Sequence, residues 1–168
     1  MDAMEAIVTR RSIRKYTKQP VSDEVLKELL EAAMCAPSAG NQQPWCFVII
    51  NDRKILSEIP AYHPYAQMLK EAPVAIMVCC DSDLQLGEWG VQDCSAATQN
   101  ILLAAHAKGL GAVWLGVYPA VPRLTAIKKL LNLPEHITPI SLISIGYPAE
   151  QKPQPDRYRA DRVHYNQW

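Results

Sequence analysis

The chain carries no surplus of charge of either sign. Lys plus Arg and Asp plus Glu both number 17, so no global field gathers nucleic acid or an anionic membrane surface, and any anion the protein binds must be met by local charge. Long hydrophobic runs are missing too: 49% of the residues are hydrophobic, yet no uninterrupted stretch approaches the ~20 residues of a membrane span. Cys-x-x-Cys pairs do not occur. The five cysteines (Cys35, Cys46, Cys79, Cys80, Cys94) are odd in number and lie mostly in apolar stretches, which predicts small buried hydrophobes in a reducing compartment and neither a disulfide framework nor a zinc site. His63, His106, His136 and His164 stand singly, without His-Glu-x-x-His spacing, so no metal ligand is assigned. No phosphate-loop sequence is found. Gly109-Leu110-Gly111 leads into a strand instead of following one, and Trp114 takes the third glycine position, which excludes a dinucleotide fingerprint. Met1 leads into Asp2 and Glu5 without the basic-then-apolar order of a secretory signal, and the expected location is cytoplasmic.

The 168 residues fit one domain spanning 1–168, large enough to bury ~70% of its unfolded surface. Met4, Ile7 and Val8 predict a first helix at helical spacing, followed at once by Arg10, Arg11, Arg14 and Lys15. A second helix starts at Ser22, a capping hydroxyl with Asp23 and Glu24 behind it and Val21 able to staple onto Leu26, and runs to about Cys35. Strands are expected over 45–50, 74–80, 112–118 and 140–145, with short helical pieces over 53–59, 65–71 and 123–131. The longest helix spans about 91–108, and its small residues let another helix approach closely. Strands and helices do not alternate steadily, which favours α+β over a doubly wound parallel sheet. From 148 the chain turns polar and then ends in aromatic residues. Left free, that arm would expose apolar surface, so it is expected to pack on something, such as another subunit.

Three segments have the residue types that bind a polar ligand. Arg10-Arg11-Ser12-Ile13-Arg14 puts three guanidinium groups and a hydroxyl in one turn-like span, suited to a phosphate dianion because Arg forks bind oxygen pairs; a solvated basic run is the plainer reading. Ile13 inside the run implies that the segment is pinned to the core. Ala36 to Trp45 holds three carboxamides, a hydroxyl and a Gly between two prolines, either a well-capped connector or a rigid loop that reads hydroxyls and the edge of a heterocycle. Gly116, inside an otherwise bulky strand, marks either a bulge or the close approach of a ligand. No acid, base or nucleophile constellation stands out, and chemistry without one points to a cofactor.

Taken in order, Arg-Arg-Ser-Ile-Arg, then Ala-Pro-Ser-Ala-Gly-Asn-Gln-Gln-Pro-Trp, then the Ala-rich helix from Asp93 leading into Val113-Trp114-Leu115-Gly116, then Ile145-Gly146-Tyr147-Pro148-Ala149-Glu150, resemble the FMN-dependent nitroreductase family, most of all its short members. The resemblance implies a central, mostly antiparallel sheet flanked by helices, in a homodimer with FMN at the interface and the C-terminal segment (148–168) extended over the partner. It implies that Arg10, Arg11, Ser12 and Arg14 serve the FMN phosphate, ribityl chain and N1–O2 side of the ring, with Arg157 a second phosphate ligand and Lys152 a weaker one. Pro37, Ser38, Ala39 and Asn41 would come from the other subunit, Gln67 would be a polar flavin contact, and Leu115 and Gly116 would face the ring near N5 through backbone groups. The activity implied is ping-pong hydride transfer from NAD(P)H through FMN to a nitroaromatic, quinone-like or related small acceptor, with no catalytic side chain assigned. Other flavin chemistry of the same family (reductive dehalogenation, flavin breakdown), a non-catalytic FMN-binding module and a purely structural dimer are the alternatives. The chain departs from larger members in the short loop between Asp81 and Val91, which leaves the pocket either more open or lined by Trp89.

Overall fold

The computed structural model describes residues 1–168. Four apolar segments pair into one sheet: β1 (Trp45–Ile50), β2 (Val74–Asp81), β3 (Gly111–Gly116) and β4 (Ile137–Gly146) lie in the order β1-β2-β4-β3, each neighbouring pair antiparallel. Successive side chains of a strand point to opposite faces, and β2 is apolar from Val74 to Cys80 because both faces are covered. Val74, Ile76, Val78 and Cys80 join one core cluster, Ala75, Met77 and Cys79 the other. Full burial of each of the large side chains here is worth ~1.5–3 kcal/mol.

The first face is covered by α2 (Asp23–Met34) and α4 (Gly90–Ala107). Ser22 caps α2, its Oγ accepting from the Val25 N–H at 3.4 Å, and Leu26, Leu29 and Ala33 share a cluster with Ala97, Ile101 and Ala105 of α4. The small residues of α4 admit α2, and polar contacts fix the pair: Asn100 Nδ2 donates to the Ala32 carbonyl at 2.9 Å, and Lys108 pairs with Glu28. On the other face lie α3 (Arg53–Glu58) and α5 (Val121–Leu130), with Leu56, Ile59, Leu69 and Ile127 fully buried. No helix is long and apolar enough to cross a membrane.

Several boundaries differ from the expected ones. β3 ends at Gly116 rather than Tyr118, because the Val117 and Tyr118 N–H groups both turn to the Ile140 carbonyl, at 3.1 Å each. β4 begins at Ile137 rather than 140. Pro139, which has no N–H to donate, is accommodated because it sits opposite Cys79, where the β2–β4 register shifts and a missing N–H costs little. α5 starts at Val121, with Pro122 in its first turn. The piece over 65–71 contains only a 3-10 turn, Gln67–Lys70. Cys35 is exposed rather than buried.

The largest departure is in α1 (Ala3–Thr9), capped by Asp2. Only Ala6 is buried, and the Met4, Ile7 and Val8 stripe that identifies the helix faces outward. The segment from 151 onward is likewise exposed, including Tyr158, Tyr165 and Trp168.

Candidate active site

The segment after α1 is fixed to the sheet through Ser12, Ile13 and Tyr16. Ile13 is buried, its N–H donates to the Ala112 carbonyl at 3.0 Å, and Ser12 bridges to Ala112. Gly111 makes room for it: a Cβ there would stand 2.6 Å from Ile13 Cγ2. The Tyr16 hydroxyl donates to the Ile13 carbonyl at 2.7 Å and accepts from Ser144 Oγ at 2.8 Å, and burial pushes its acidity well below that of free tyrosine. Glu150 Oε1 accepts the Arg14 N–H at 2.6 Å, and that bond, with Lys152 nearby, holds its carboxyl below the usual range. An apolar residue inside a basic run therefore does what its position suggests, and the directions of Ser12 and Arg14 are set by the core.

Arginines gather at the end of α1 without neutralisation. None of Arg10, Arg11, Arg14 and Arg157 pairs with a carboxylate. Arg10 Nε is buried with no acceptor, and burial, then the charges of Arg11 and Arg157, make its proton easier to lose than usual. Arg11 is braced by the carbonyls of Val8, Arg10 and Pro153 and shares a cavity of about 620 Å³ with Ile7, Val8, Asp156, Arg157 and Tyr158. Asp156 is occupied locally, accepting the Tyr158 N–H at 3.3 Å. A buried guanidinium N–H with no acceptor among like charges is costly as it stands. The donor set fits an anion with several oxygens, such as a phosphate monoester. Lys152 is spoken for, donating to the Ser12 carbonyl at 2.6 Å and lying 3.4 Å from Glu150.

A second cavity, about 480 Å³, brings together Arg14, Gln67, Leu115 and Gly116 from three separate segments. At Gly116 an added Cβ would meet nothing within 4 Å, so packing inside this chain does not require glycine there, and the open space admits a ligand against the backbone. His63, Tyr65, Trp114 and Arg123 share this cavity, and the sequence reading assigned none of them. Two donors converge on the Gly116 carbonyl, His63 Nε2 at 2.9 Å and Arg123 Nη1 at 3.0 Å. A carbonyl only accepts, so His63 carries its proton on Nε2, which leaves the buried Nδ1 without a partner. Burial pushes the His63 pKa down, with the Arg123 charge adding to it and the Gly116 bond opposing, so the imidazole is neutral at neutral pH.

The loop with Pro37, Ser38, Ala39 and Asn41 lines neither cavity. It is held rigid on its own: Ser38 Oγ accepts the Gln43 N–H at 3.0 Å, Asp93 Oδ1 accepts the Ala39 N–H at 3.0 Å, and Gly40 and Asn41 adopt left-handed backbone at φ +58° and +55°. Asp93 is a residue that spacing did not reveal, buried in the first turn of α4 with Oδ2 unpartnered. Trp89, half-exposed before α4, stands outside both cavities. Asp81, Asp83 and His136, from the facing ends of β2 and β4, bring ligand atoms within 4.8 Å of one another at the surface.

An antiparallel sheet between helical layers, with an arginine segment stitched to one edge strand, is the frame of the Nitroreductase family, whose model matches residues 7–63 and 60–147. The chain belongs to that family. It is 54% identical over 170 residues to a Methanothermobacter thermautotrophicus protein provisionally named NADH dehydrogenase/NAD(P)H nitroreductase, covering 100% of this chain and 88% of the relative. Among solved structures it resembles an FMN-dependent nitroreductase of Clostridium difficile, at TM-score 0.91 and 30% identity, over 98% of this chain and 99% of that one. It also resembles a Desulfovibrio desulfuricans protein, provisionally described as a nitroreductase, solved in complex with FMN, at TM-score 0.87 and 36% identity, over 100% of this chain and 99% of that one.

Proposed function

We propose that this chain is an FMN-dependent oxidoreductase that takes hydride from NAD(P)H and delivers it to a small acceptor of nitroaromatic or quinone type, in alternating half-reactions at one site. The observation that carries this reading is the convergence of Arg14, Gln67, Leu115 and Gly116 on one cavity. The unneutralised Arg10, Arg11 and Arg157 gathered at the end of α1 support it, as do the relatives and the Desulfovibrio complex with FMN. When bound, FMN supplies the hydride acceptance and release that none of this chain's side chains can supply.

The residues present then have distinct tasks. Arg11 and Arg157 hold the phosphate, and Arg10 Nε gains the acceptor it lacks. Ser12 faces the ribityl chain and Arg14 places positive charge beside the N1–O2 edge, where reduction puts negative charge; such preorganised charge favours the reduced state without later rearrangement. Leu115 and Gly116 offer backbone groups to the ring near N5, and Gln67 a carboxamide. Substrates are positioned over the same face in turn, which supplies proximity without a protein acid or base.

A second copy completes the site. Pro37, Ser38, Ala39 and Asn41, which line neither cavity in one chain, reach it from the partner, while the arm, held to its own chain from Pro148 to Tyr158, crosses over 159–168 to cover the partner's surface. Steady-state kinetics test the mechanism. With menadione or a nitroarene as acceptor, double-reciprocal plots against NADH are expected to give parallel lines; intersecting lines, or no acceptor-dependent NADH oxidation, overturn it.

A further inference from the structure

We propose that the cavity beside Gly116 contains a subsite for an anionic oxygen group, carboxylate or phosphate, on the small molecule that reacts there, and that Arg123 binds it. This rests on the flavin reading above and narrows its substrate class. Among the ten residues that line the cavity are two permanent cations, Arg14 and Arg123, and no Asp or Glu. Arg14 is committed to the flavin edge in that reading. Arg123 is left over.

Its surroundings are those of a binding group. Arg123 forms no ion pair, although this chain has as many carboxylates as cations and could have supplied a partner. Its one hydrogen bond, to the Gly116 carbonyl, occupies one of the five N–H groups of a guanidinium. The Tyr65 ring lies 5.8 Å from its central carbon, and the two contacts fix the plane of the fork in advance, which lowers the ordering cost of binding. His63, 1% exposed and neutral, also donates to that carbonyl, at 2.9 Å, and braces it. Because Arg123 is bonded to Gly116 itself, an anion on its free edge lies one residue from the backbone that faces the reacting ring.

The rest of the wall says what the anion is attached to. Tyr65 and the 36%-exposed Trp114 present aromatic surface, suited to a flat aromatic body with a carboxylate at one end. A phosphate of the nicotinamide nucleotide offers the same oxygen chemistry, and the two sources differ in which substrate's KM depends on Arg123.

The test uses the FMN-loaded protein and two readouts. By titration calorimetry, benzoate is expected to bind at least about tenfold more tightly than benzamide, the gain of a charge-assisted contact. Arg123→Gln should abolish that preference and Arg123→Lys, which keeps the charge and loses the fork, should retain part of it. In turnover, 4-nitrobenzoate is compared with 4-nitrotoluene, and KM for NADH is measured in parallel. A rise in KM for 4-nitrobenzoate alone in Arg123→Gln assigns the subsite to the acceptor; a rise for NADH alone assigns it to the nucleotide phosphate. Equal binding of benzoate and benzamide to the unmutated protein, or a preference that survives Arg123→Gln, overturns the proposal. Benzoate binding needs no turnover, so a protein that binds benzoate through Arg123 but is not reduced by NAD(P)H would contradict the oxidoreductase reading and leave the subsite standing.

Discussion

Gly111→Ala is the sharpest test of how the sheet sets the direction of the arginine segment. Gly111 does not have left-handed backbone, so the substitution carries no backbone strain and acts only through its new methyl group. That Cβ would lie 2.6 Å from Cγ2, 2.8 Å from Cβ and 3.1 Å from Cγ1 of Ile13, whereas carbon atoms settle at about 3.5–4.0 Å. Roughly 1 Å of movement is required, and little of it can come from Ile13: a β-branched side chain is stiff at χ1, and its N–H is tied to the Ala112 carbonyl next door. Overpacking of this kind costs ~1–3 kcal/mol, a fall in Tm of roughly 2–12 °C for a chain of this size. The displaced segment carries Ser12 and Arg14, so FMN affinity should drop by about the worth of one charged hydrogen bond, ~1.5–3 kcal/mol or roughly ten- to a hundredfold. The double variant isolates the contact. Ile13→Ala alone should cost at least ~2 kcal/mol, and adding Gly111→Ala should cost at least ~1 kcal/mol less than the sum of the single changes, because the methyl enters vacated space. Thermal unfolding and flavin fluorescence titration read both quantities. A Gly111→Ala protein with unchanged Tm and unchanged FMN affinity refutes the reasoning.

Other consequences are as direct. Arg157→Ala should weaken FMN binding by ~1.5–3 kcal/mol with little change in Tm, since Arg157 makes no hydrogen bond within the chain; Arg11→Ala should lower both, because Arg11 also braces three carbonyls. FMN affinity unchanged from that of the parent protein in both variants would remove the phosphate assignment. Deleting 163–168 should leave the core's unfolding unaffected, as these side chains are exposed, while sedimentation reports at least about tenfold weaker dimerisation; a truncated chain that stays a tight dimer contradicts the crossing arm. The depressed Glu150 carboxyl implies a stabilising contribution that is complete above its ordinary value of 4.5 and is lost as pH falls through the lower folded value. Acid titration of Glu150→Gln should lack that component, and an identical acid profile would show that the Arg14 anchor contributes nothing.

Much of the frame was legible because local signals and tertiary packing agree. Ser22 caps where its hydroxyl implied, β2 is apolar on both faces because both are covered, and Ile13 pins the basic run. The failures have physical causes. β4 starts at Ile137, before the expected 140, because a register shift excuses the missing donor of Pro139. Met4, Ile7 and Val8 announced a helix but not its burial: the apolar stripe belongs to a surface that one chain does not cover. His63 and Arg123 could not be found from spacing, since they meet only at the Gly116 carbonyl, 53 and 7 residues away along the chain. In sequence each looks ordinary, a lone histidine and a basic residue on a short amphipathic helix.

The central claim, that the two cavities hold an FMN reducible by a nicotinamide nucleotide, is tested most directly by the visible spectrum of the freshly purified protein under anaerobic conditions, before and after adding NADH and then NADPH. A flavin spectrum that bleaches with either nucleotide is the expected result. A colourless protein that takes up no added FMN, or a bound flavin that stays oxidised with both nucleotides, would contradict the account.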